Sequence, residues 1–427
     1  MKLSLINPPW TFDGSIYFGC RQPHLPLELG YARLLLQQHG HDVLMLDGYL
    51  LGLDEAEIAE QTLSFGPDLA VVTTAPSYLF WRCAPPELAV PRRTVRGLTD
   101  AGIRTVAIGP HGSVTPGSVL RKLGASIVLR GEPEEALVEL AEIGSPEAVP
   151  GAAWLEDGHL RINGGPRMAA FTDIPPLSWP DNWIARHHHH HHRFDREPDA
   201  PGAEVEASRG CPYSCSFCAK IDYRDRYRRR RLDLLLAEID GLVAQGVRYI
   251  YFIDEIFLPW RQLLEQLRQR SISFGIQTRI DLWKPGMLDL LGEAGCVSVE
   301  AGVESLTEQG RAVLDKECRL GIDQLTALLI HARRSIPFVQ ANLIGSPQDD
   351  PEAIAAWRAH LQGHGVWAND PVPLFPYPSS PDYRKLWGEP DDYAWERAHA
   401  YYLRQFARFS DIQETRPLPL AELEAVD

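Results

Sequence analysis

The chain has 427 residues, with 42 basic against 57 acidic side chains and a net charge of −15. That balance argues against a broad nucleic-acid footprint, because phosphate binding requires basic surface. Its 44% apolar content is ample for a globular core spread over about two or three domains. Seven cysteines without framework spacing fit a reducing cytosol. With neither a signal-peptide core nor a long apolar run, a cytoplasmic protein with no membrane and no nucleic-acid partner is expected.

Residues 1–145 alternate short apolar runs with helical patterns. The runs are Leu3 to Ile6, Val43 to Leu46, Leu69 to Thr73, Thr105 to Ile108 and Ile127 to Leu129. Five βα units predict an α/β, doubly wound, Rossmann- or flavodoxin-like domain around a parallel sheet. Pro26 to His39 places Leu27, Tyr31, Leu34 and Leu35 on one helical face, and a second helix runs from about Asp54 to Phe65. The third helical segment is broken by Pro91. In such a fold a ligand sits beyond the carboxyl ends of the strands. Those ends carry Pro9, Thr74, Ser77, Gly109, His111, Gly131 and Glu132 among other small and polar residues. Any doubly wound domain ends its strands in turn residues, so the pattern alone leaves both readings open.

Residues 146–202 are proline-rich and mark a connector. Gly151 to Asn163, with Asp157-Gly158 at its centre, reads as a hairpin able to cover one edge of the first sheet. His187 to His192 form an unbroken run that reads as a solvated polar loop or a divalent-metal binder.

Residues 203–375 again alternate strands and helices. Strands are expected at Ala203 to Ala207, Val247 to Ile253, Ile272 to Gln277, Val297 to Ala301, Phe338 to Leu343 and Val366 to Leu374. Helices are expected at about 232–244, 260–270, 286–295, 305–314 and 322–334. Six strands and five helices describe a partial TIM-like (β/α)6 barrel, with its active end at the strands' carboxyl ends. After the first strand, Cys211, Cys215 and Cys218 stand at C-x3-C-x2-C. Three thiolates on one tight loop can hold three irons of a four-iron cluster and leave the fourth open. A zinc knuckle usually shows a second cysteine pair, whereas Cys20, Cys83, Cys296 and Cys318 are scattered singly. Cys296 reads as core. Arg224 to Arg231 is the one dense basic patch and reads as a solvated lead into a helix, or as a site for an anionic substrate. Residues 376–427 form a helical extension able to close the open side of the barrel.

The C-x3-C-x2-C spacing resembles the radical S-adenosylmethionine (SAM) superfamily, and the strand ends that follow match in order. By that resemblance the cofactors are a 4Fe-4S cluster on Cys211, Cys215 and Cys218 and a SAM molecule. Phe217 would shield the cluster, Asp254 and Glu255 would lie near the SAM amino group, and Arg279 would pair with its carboxylate. Glu304 and Ser305 would face the ribose and amino acid, and Gly345 would let backbone approach the adenine. In the first domain, Asn7-Pro8-Pro9, the Pro26 to Tyr31 segment, Gly109-Pro110-His111 and Arg130 to Leu137 are similar to the cobalamin-binding domain that precedes many radical SAM enzymes. Pro9, Thr74, Ser77, Gly109, His111, Gly131 and Glu132 would then line a cobalamin site. The histidine-containing axial-ligand motif is missing between Asn7 and Gly19, so the cobalt's lower face would lack a histidine from that loop.

The resemblance implies a cobalamin-dependent radical SAM C-methyltransferase acting on a small-molecule substrate. A reduced cluster would cleave SAM to a 5′-deoxyadenosyl radical that abstracts hydrogen, and methylcobalamin would supply the methyl group. An external one-electron reductant of flavodoxin or ferredoxin type is implied. Rearrangement, cyclisation or oxidation with the same cofactors is the nearest alternative. Methylthiolation of transfer RNA would need more cysteines in the first domain, and a non-catalytic corrinoid or iron-sulfur sensor would not need the SAM-gripping set.

Overall fold

A computed structural model describes residues 1–17, 22–77, 84–187, 200–406 and 415–425. Its first sheet contains parallel strands β1 (Lys2–Asn7), β2 (Asp42–Asp47), β3 (Leu69–Thr73), β4 (Thr105–Ile108) and β5 (Ile127–Leu129) in the order β2-β1-β3-β4-β5. Alternate residues feed two cores, one on each face: Leu3, Leu5, Leu69 and Val71 on one, Ile6, Ala70 and Val72 on the other. This two-sided burial is why the strands read as nearly continuous apolar runs. The strand order reverses between β1 and β3, which makes their carboxyl ends the topological switch point.

Local chemistry sets the helix ends. Asp54 caps the helix Glu55–Phe65 in a reciprocal capping box with Glu57. Pro91, expected to break its segment, instead occupies the first turn of the helix Ala89–Asp100, where no intrahelical N–H bond is lost. The hairpin assigned to the connector lies in the first sheet. Its strands β6 (Ala152–Glu156) and β7 (His159–Ile162) add antiparallel beside β5, with Asp157 and Gly158 both at positive φ in the turn.

The second half contributes β8 (Gly202–Val205), a two-residue antiparallel pair β9 (Ser208–Arg209) and β10 (Arg228–Arg229), then β11 (Tyr249–Phe252), β12 (Ser273–Thr278), β13 (Cys296–Glu304), β14 (Phe338–Leu343) and β15 (Trp367–Ala368). The parallel sheet runs β15-β14-β13-β12-β11-β8, the open (β/α)6 arrangement read from the sequence. One helix was not anticipated. Pro351–Gly363, started by the Asp350 cap and a proline in its first turn, connects β14 to β15. The last strand shrinks to two residues because Pro371 and Pro373 interrupt the run beyond it.

The C-terminal segment does more than close the barrel. Its helix Ala394–Gln405 reaches the first domain, where Trp395 Nε1 donates to Thr115 Oγ1 at 3.1 Å and Lys122 pairs with Glu396. The Asp382 N–H, at the start of the helix Pro381–Trp387, donates to the Ser216 carbonyl in the cysteine loop at 2.9 Å. No helix among the described residues is long and apolar enough to cross a membrane.

Candidate active site

The cysteine loop leaves the β9 end and returns at β10, pinched by that short ladder. Gly210 begins it at φ 77°, and a Cβ there would lie 2.0 Å from the Arg226 carbonyl oxygen, so only glycine fits. The Gly210 N–H donates to Glu255 Oε2 at 2.7 Å, and Lys220 Nζ donates to the Cys211 carbonyl at 2.9 Å. The Ser216 N–H donates to the Leu314 carbonyl at 3.0 Å. Cys211 and Cys215 are buried and Cys218 is half-buried, and none of the three is in a disulfide. Burial, then the neighbouring Cys218, pushes the Cys215 thiol up to about 12, while Lys316 and Arg279 pull the other way. Iron ligation removes such protons outright. Three thiols on one pinched loop, with cationic side chains beside Cys215, fit a four-iron cluster with one iron lacking a protein thiolate. Of the other described cysteines, Cys296 is core as expected, its Sγ donating to the Ser298 carbonyl, and Cys318 donates to the Leu320 carbonyl.

The barrel's strand ends surround this loop. Asp254 turns inward: its carboxyl takes the Ala207 N–H at 2.8 Å and the Ser208 hydroxyl, and burial holds it well above the usual carboxylate range. Glu255 uses one oxygen on Gly210, and its buried Oε1 has no hydrogen-bond partner among the described residues, with Arg224 3.6 Å away. Arg279 lies 4.0 Å over the Tyr213 ring and pairs with Asp281, leaving a buried Nη1 likewise without a hydrogen-bond partner. One orphaned carboxylate oxygen and one orphaned guanidinium nitrogen complement the ammonium and carboxylate of an amino acid, the head group of SAM. Glu304 adopts a left-handed φ of 70° and receives Lys316 Nζ at 3.0 Å. A side-chain-bearing residue held there is strained, a mark of functional loops. Ser305 bonds Asp349 Oδ1 at 2.8 Å, and the Gly345 N–H donates to the Val372 carbonyl at 2.7 Å.

Lys316 and Asp349 escaped the sequence reading. Lys316 stands between Asp315 and Glu317, both at positive φ, a backbone feature that no spacing rule announces. Phe217 and Cys218 open onto a cavity of about 280 Å³ shared with Ile16 and Tyr17 after β1, Ile344 after β14, and Phe375, Tyr377 and Tyr402 of the C-terminal segment. The Tyr17 and Tyr377 hydroxyls hydrogen-bond across it.

The first sheet's candidates have partners inside the protein. His111 is fully buried, its Nε2 at 2.7 Å from the Pro85 carbonyl and its Nδ1 at 3.2 Å from Thr74 Oγ1, under the Trp395 ring at 4.4 Å. Burial drives its pKa down to about 4, so the imidazole is neutral and both nitrogens are engaged. A Cβ on Gly109 would meet Thr74 Oγ1 at 2.7 Å. A Cβ on Gly131 would meet the Arg167 carbonyl oxygen at 2.1 Å. Both glycines therefore serve packing. The Ser77 hydroxyl donates to Glu28, whose carboxyl burial raises to about 7. Pro9 abuts Gly48, where a Cβ would lie 2.9 Å from the Pro9 nitrogen. His111, with both ring nitrogens engaged inside the protein, has none left over as a metal ligand.

Glu132 takes part in a buried charge cluster. Arg209, with no exposed surface, pairs with Glu132 at 3.1 Å, Glu134 at 2.6 Å and Glu206 at 2.9 Å, and lies 4.5 Å over the Phe171 ring. The basic run expected to be solvated supplies the other cations. Arg224 pairs with Glu206, Arg228 with Glu132, and Arg230 with Glu238 at 3.0 Å. Arg224 and Arg230 are 1% and 2% exposed, which excludes the solvated reading for those two. This cluster joins the end of β5 to the base of the cysteine loop and so fixes the two sheets' carboxyl ends relative to each other.

Residues 205–358 match the model of the radical SAM superfamily. This segment is a radical SAM domain. The chain is 24% identical over 376 residues to an uncharacterized methyltransferase of Pyrococcus horikoshii, covering 83% of this chain and 76% of that protein. It is also 24% identical over 342 residues to an anaerobic magnesium-protoporphyrin IX monomethyl ester cyclase of Rubrivivax gelatinosus, covering 74% of this chain and 58% of the longer cyclase. Its fold is similar to that of the radical SAM methyltransferase TsrM from Kitasatospora setae, solved with cobalamin and a 4Fe-4S cluster. The TM-score is 0.71 at 18% identity, over 89% of this chain and 76% of TsrM.

Proposed function

We propose that this radical SAM enzyme is a cobalamin-dependent methyltransferase acting on an unactivated carbon of a small, largely apolar metabolite. The observation that carries the reading is the shared cavity. Cys218 and Phe217 of the cysteine loop border the same 280 Å³ space as Ile16 and Tyr17 beyond the first sheet's switch point. A cluster-side radical and a methyl donor held at that switch point would then meet one substrate. The cavity is of the size and apolar character of small-molecule sites.

When bound, the cluster and SAM supply one-electron cleavage chemistry, and cobalamin supplies a transferable methyl group; the protein's part is to bind, orient and exclude water. Cys211, Cys215 and Cys218 would hold the cluster. Glu255 and Arg279 would take the ammonium and carboxylate of SAM, Glu304 with Lys316 and the backbone of Gly345 would border its nucleoside, and Phe217 would screen the cluster from water. Pro9 and the backbone from Thr74 to Ser77 would hold the corrinoid at the switch point, and the TsrM fold with its bound cobalamin supports that assignment. Phe375, Tyr377 and Tyr402 would orient the substrate, and a flavodoxin- or ferredoxin-type protein would deliver the electrons.

The test is anaerobic reconstitution with iron, sulfide and hydroxocobalamin, followed by deuteromethyl-SAM and a reductant. Formation of 5′-deoxyadenosine with a corrinoid spectrum and a labelled methyl group in the product supports the reading. No 5′-deoxyadenosine would remove the radical chemistry, and no corrinoid spectrum would remove the methyl transfer. The similarity to the protoporphyrin ester cyclase favours a second reading, oxidation or cyclisation with the same cofactors, which predicts a product without label.

A further inference from the structure

Three residues from three separate parts of the chain meet away from the cluster. His24 precedes the first helix, His187 ends the connector, and Glu204 lies within β8. His24 Nδ1 is 2.7 Å from Glu204 Oε1 and His187 Nε2 is 3.3 Å from Glu204 Oε2, with side-chain exposures of 7%, 0% and 0% for His24, His187 and Glu204. The three donor atoms all lie within 4.8 Å of one another.

The protonation pattern is informative. His187 Nδ1 is 2.6 Å from the Gly202 carbonyl, an acceptor only, so this nitrogen carries the proton. In a neutral ring Nε2 then presents its lone pair to a carboxylate oxygen. Two lone pairs do not face each other in a buried site unless a positive charge lies between them. A carbonyl-bound Nδ1–H is also the arrangement that orients metal-ligating imidazoles. Donor atoms of a tetrahedral zinc with bonds of about 2.0–2.1 Å lie about 3.3–3.4 Å apart, close to the 3.3 Å between His187 Nε2 and Glu204 Oε2. His24 Nδ1, 2.7 Å from Glu204 Oε1, would have to move outward to admit the ion. The buried Asp47 at the end of β2 adds a second negative charge within electrostatic reach of His187, and its Oδ2 has no hydrogen-bond partner among the described residues. Glu204 and Asp47 together balance a divalent ion.

We propose that His24, His187 and Glu204 form a divalent-metal site of the zinc class that ties the first domain, the connector and the barrel together just before the cysteine loop. Two imidazoles and one carboxylate suit zinc, and three protein ligands leave a fourth position for water. Metal would displace the protons at His24 Nδ1 and His187 Nε2.

The test uses the full chain with its cluster reconstituted, so that Cys211, Cys215 and Cys218 are occupied, and with His188→Ser through His192→Ser so that the neighbouring histidines contribute no affinity. Zinc is added, excess is removed, and bound metal is counted and probed by X-ray absorption. The expected result is one zinc per chain with a nitrogen and oxygen shell at about 2.0–2.1 Å and no sulfur shell near 2.3 Å. His24→Ala and Glu204→Gln should each lower zinc affinity by at least about 100-fold. No retained zinc, a sulfur shell, or zinc binding indifferent to both substitutions would overturn the site. Should Glu204→Gln fail to fold, His24→Ala and the zinc dependence of the unsubstituted chain's thermal midpoint decide the matter. A midpoint unmoved by saturating zinc leaves only a histidine-carboxylate ion pair.

Discussion

The two parallel sheets of this molecule end their strands in opposite ways. In the first, most of the polar strand-end groups are paired internally, Asp47 Oδ2 being an exception: Asn7 accepts from Trp10 and Thr73, Thr74 bonds His111, and Ser77 bonds Glu28. In the barrel, Glu255 Oε1 and Arg279 Nη1 are buried without hydrogen-bond partners among the described residues. A buried polar group left unpaired costs about 1–3 kcal/mol, so the barrel carries a standing cost that a zwitterionic head group would remove. The first sheet carries less of that cost and offers backbone and shape. On the proposed reading, the barrel's strand ends would grip a charged small cofactor, and the first sheet's would offer shape and backbone to a large one.

The largest effect should come from the cysteine loop. Cys218→Ala removes one of three iron ligands, and we expect iron content, the broad visible absorbance and 5′-deoxyadenosine formation to fall to background. A variant retaining SAM cleavage would break the contrast between the sheets, because the barrel's charges would then serve something other than a cluster-bound cofactor.

Next is the hinge of the comparison, the charge cluster between the two strand-end faces. Arg209→Met would leave Glu132, Glu134 and Glu206 sharing fewer cations, at an expected loss of about 3–5 kcal/mol in urea unfolding. Burial opposes the Glu206 carboxylate, but Arg209 and Arg224 outweigh it and hold its pKa below the usual range. Its contribution is thus present above the unfolded carboxylate pKa of about 4.3 and is lost as pH falls below that. An Arg209→Met variant losing under about 1 kcal/mol would show that apolar packing alone joins the sheets.

His111 gives the first sheet its own pH signature. Its folded pKa of about 4 lies below the unfolded value, so the folded state excludes a proton that the unfolded chain accepts. Stability should be full above about pH 6.5 and should decline by up to about 3 kcal/mol as pH drops to 4. His111→Asn should lose that slope while leaving the corrinoid spectrum of the reconstituted protein unchanged. A spectral change would make His111 a cobalt ligand.

The smallest effect sharpens the contrast directly. Glu255→Gln should weaken SAM binding by about 10- to 100-fold, the worth of one charged hydrogen bond, as read by equilibrium dialysis. Ser77→Ala should leave SAM affinity within about twofold, because its hydroxyl already bonds Glu28. Equal losses in the two variants would erase the distinction between the sheets.

Both parallel sheets, the hairpin and the three cluster cysteines were legible from the amino-acid order, since periodicity and motif spacing are local and add up over a segment. The Pro351–Gly363 helix was legible in principle from Asp350-Pro351 but has little apolar periodicity, with Leu361 its one buried residue. The use of each polar side chain was not local. Glu132 and Arg209 pair across 77 residues, and Ser77 and Glu28 across 49, so the strand-end residues expected to face a corrinoid could be told from those bonded inside the protein only after folding. The basic run shows the same limit, because a solvated and a buried arginine look alike until their carboxylates are located. For the cysteine loop the order of residues was decisive, because three ligands within eight residues cannot separate in space. Which cavity that loop faces, and which charges stand unpaired beside it, were decided by tertiary structure, because those partners come from distant segments that only packing brings together.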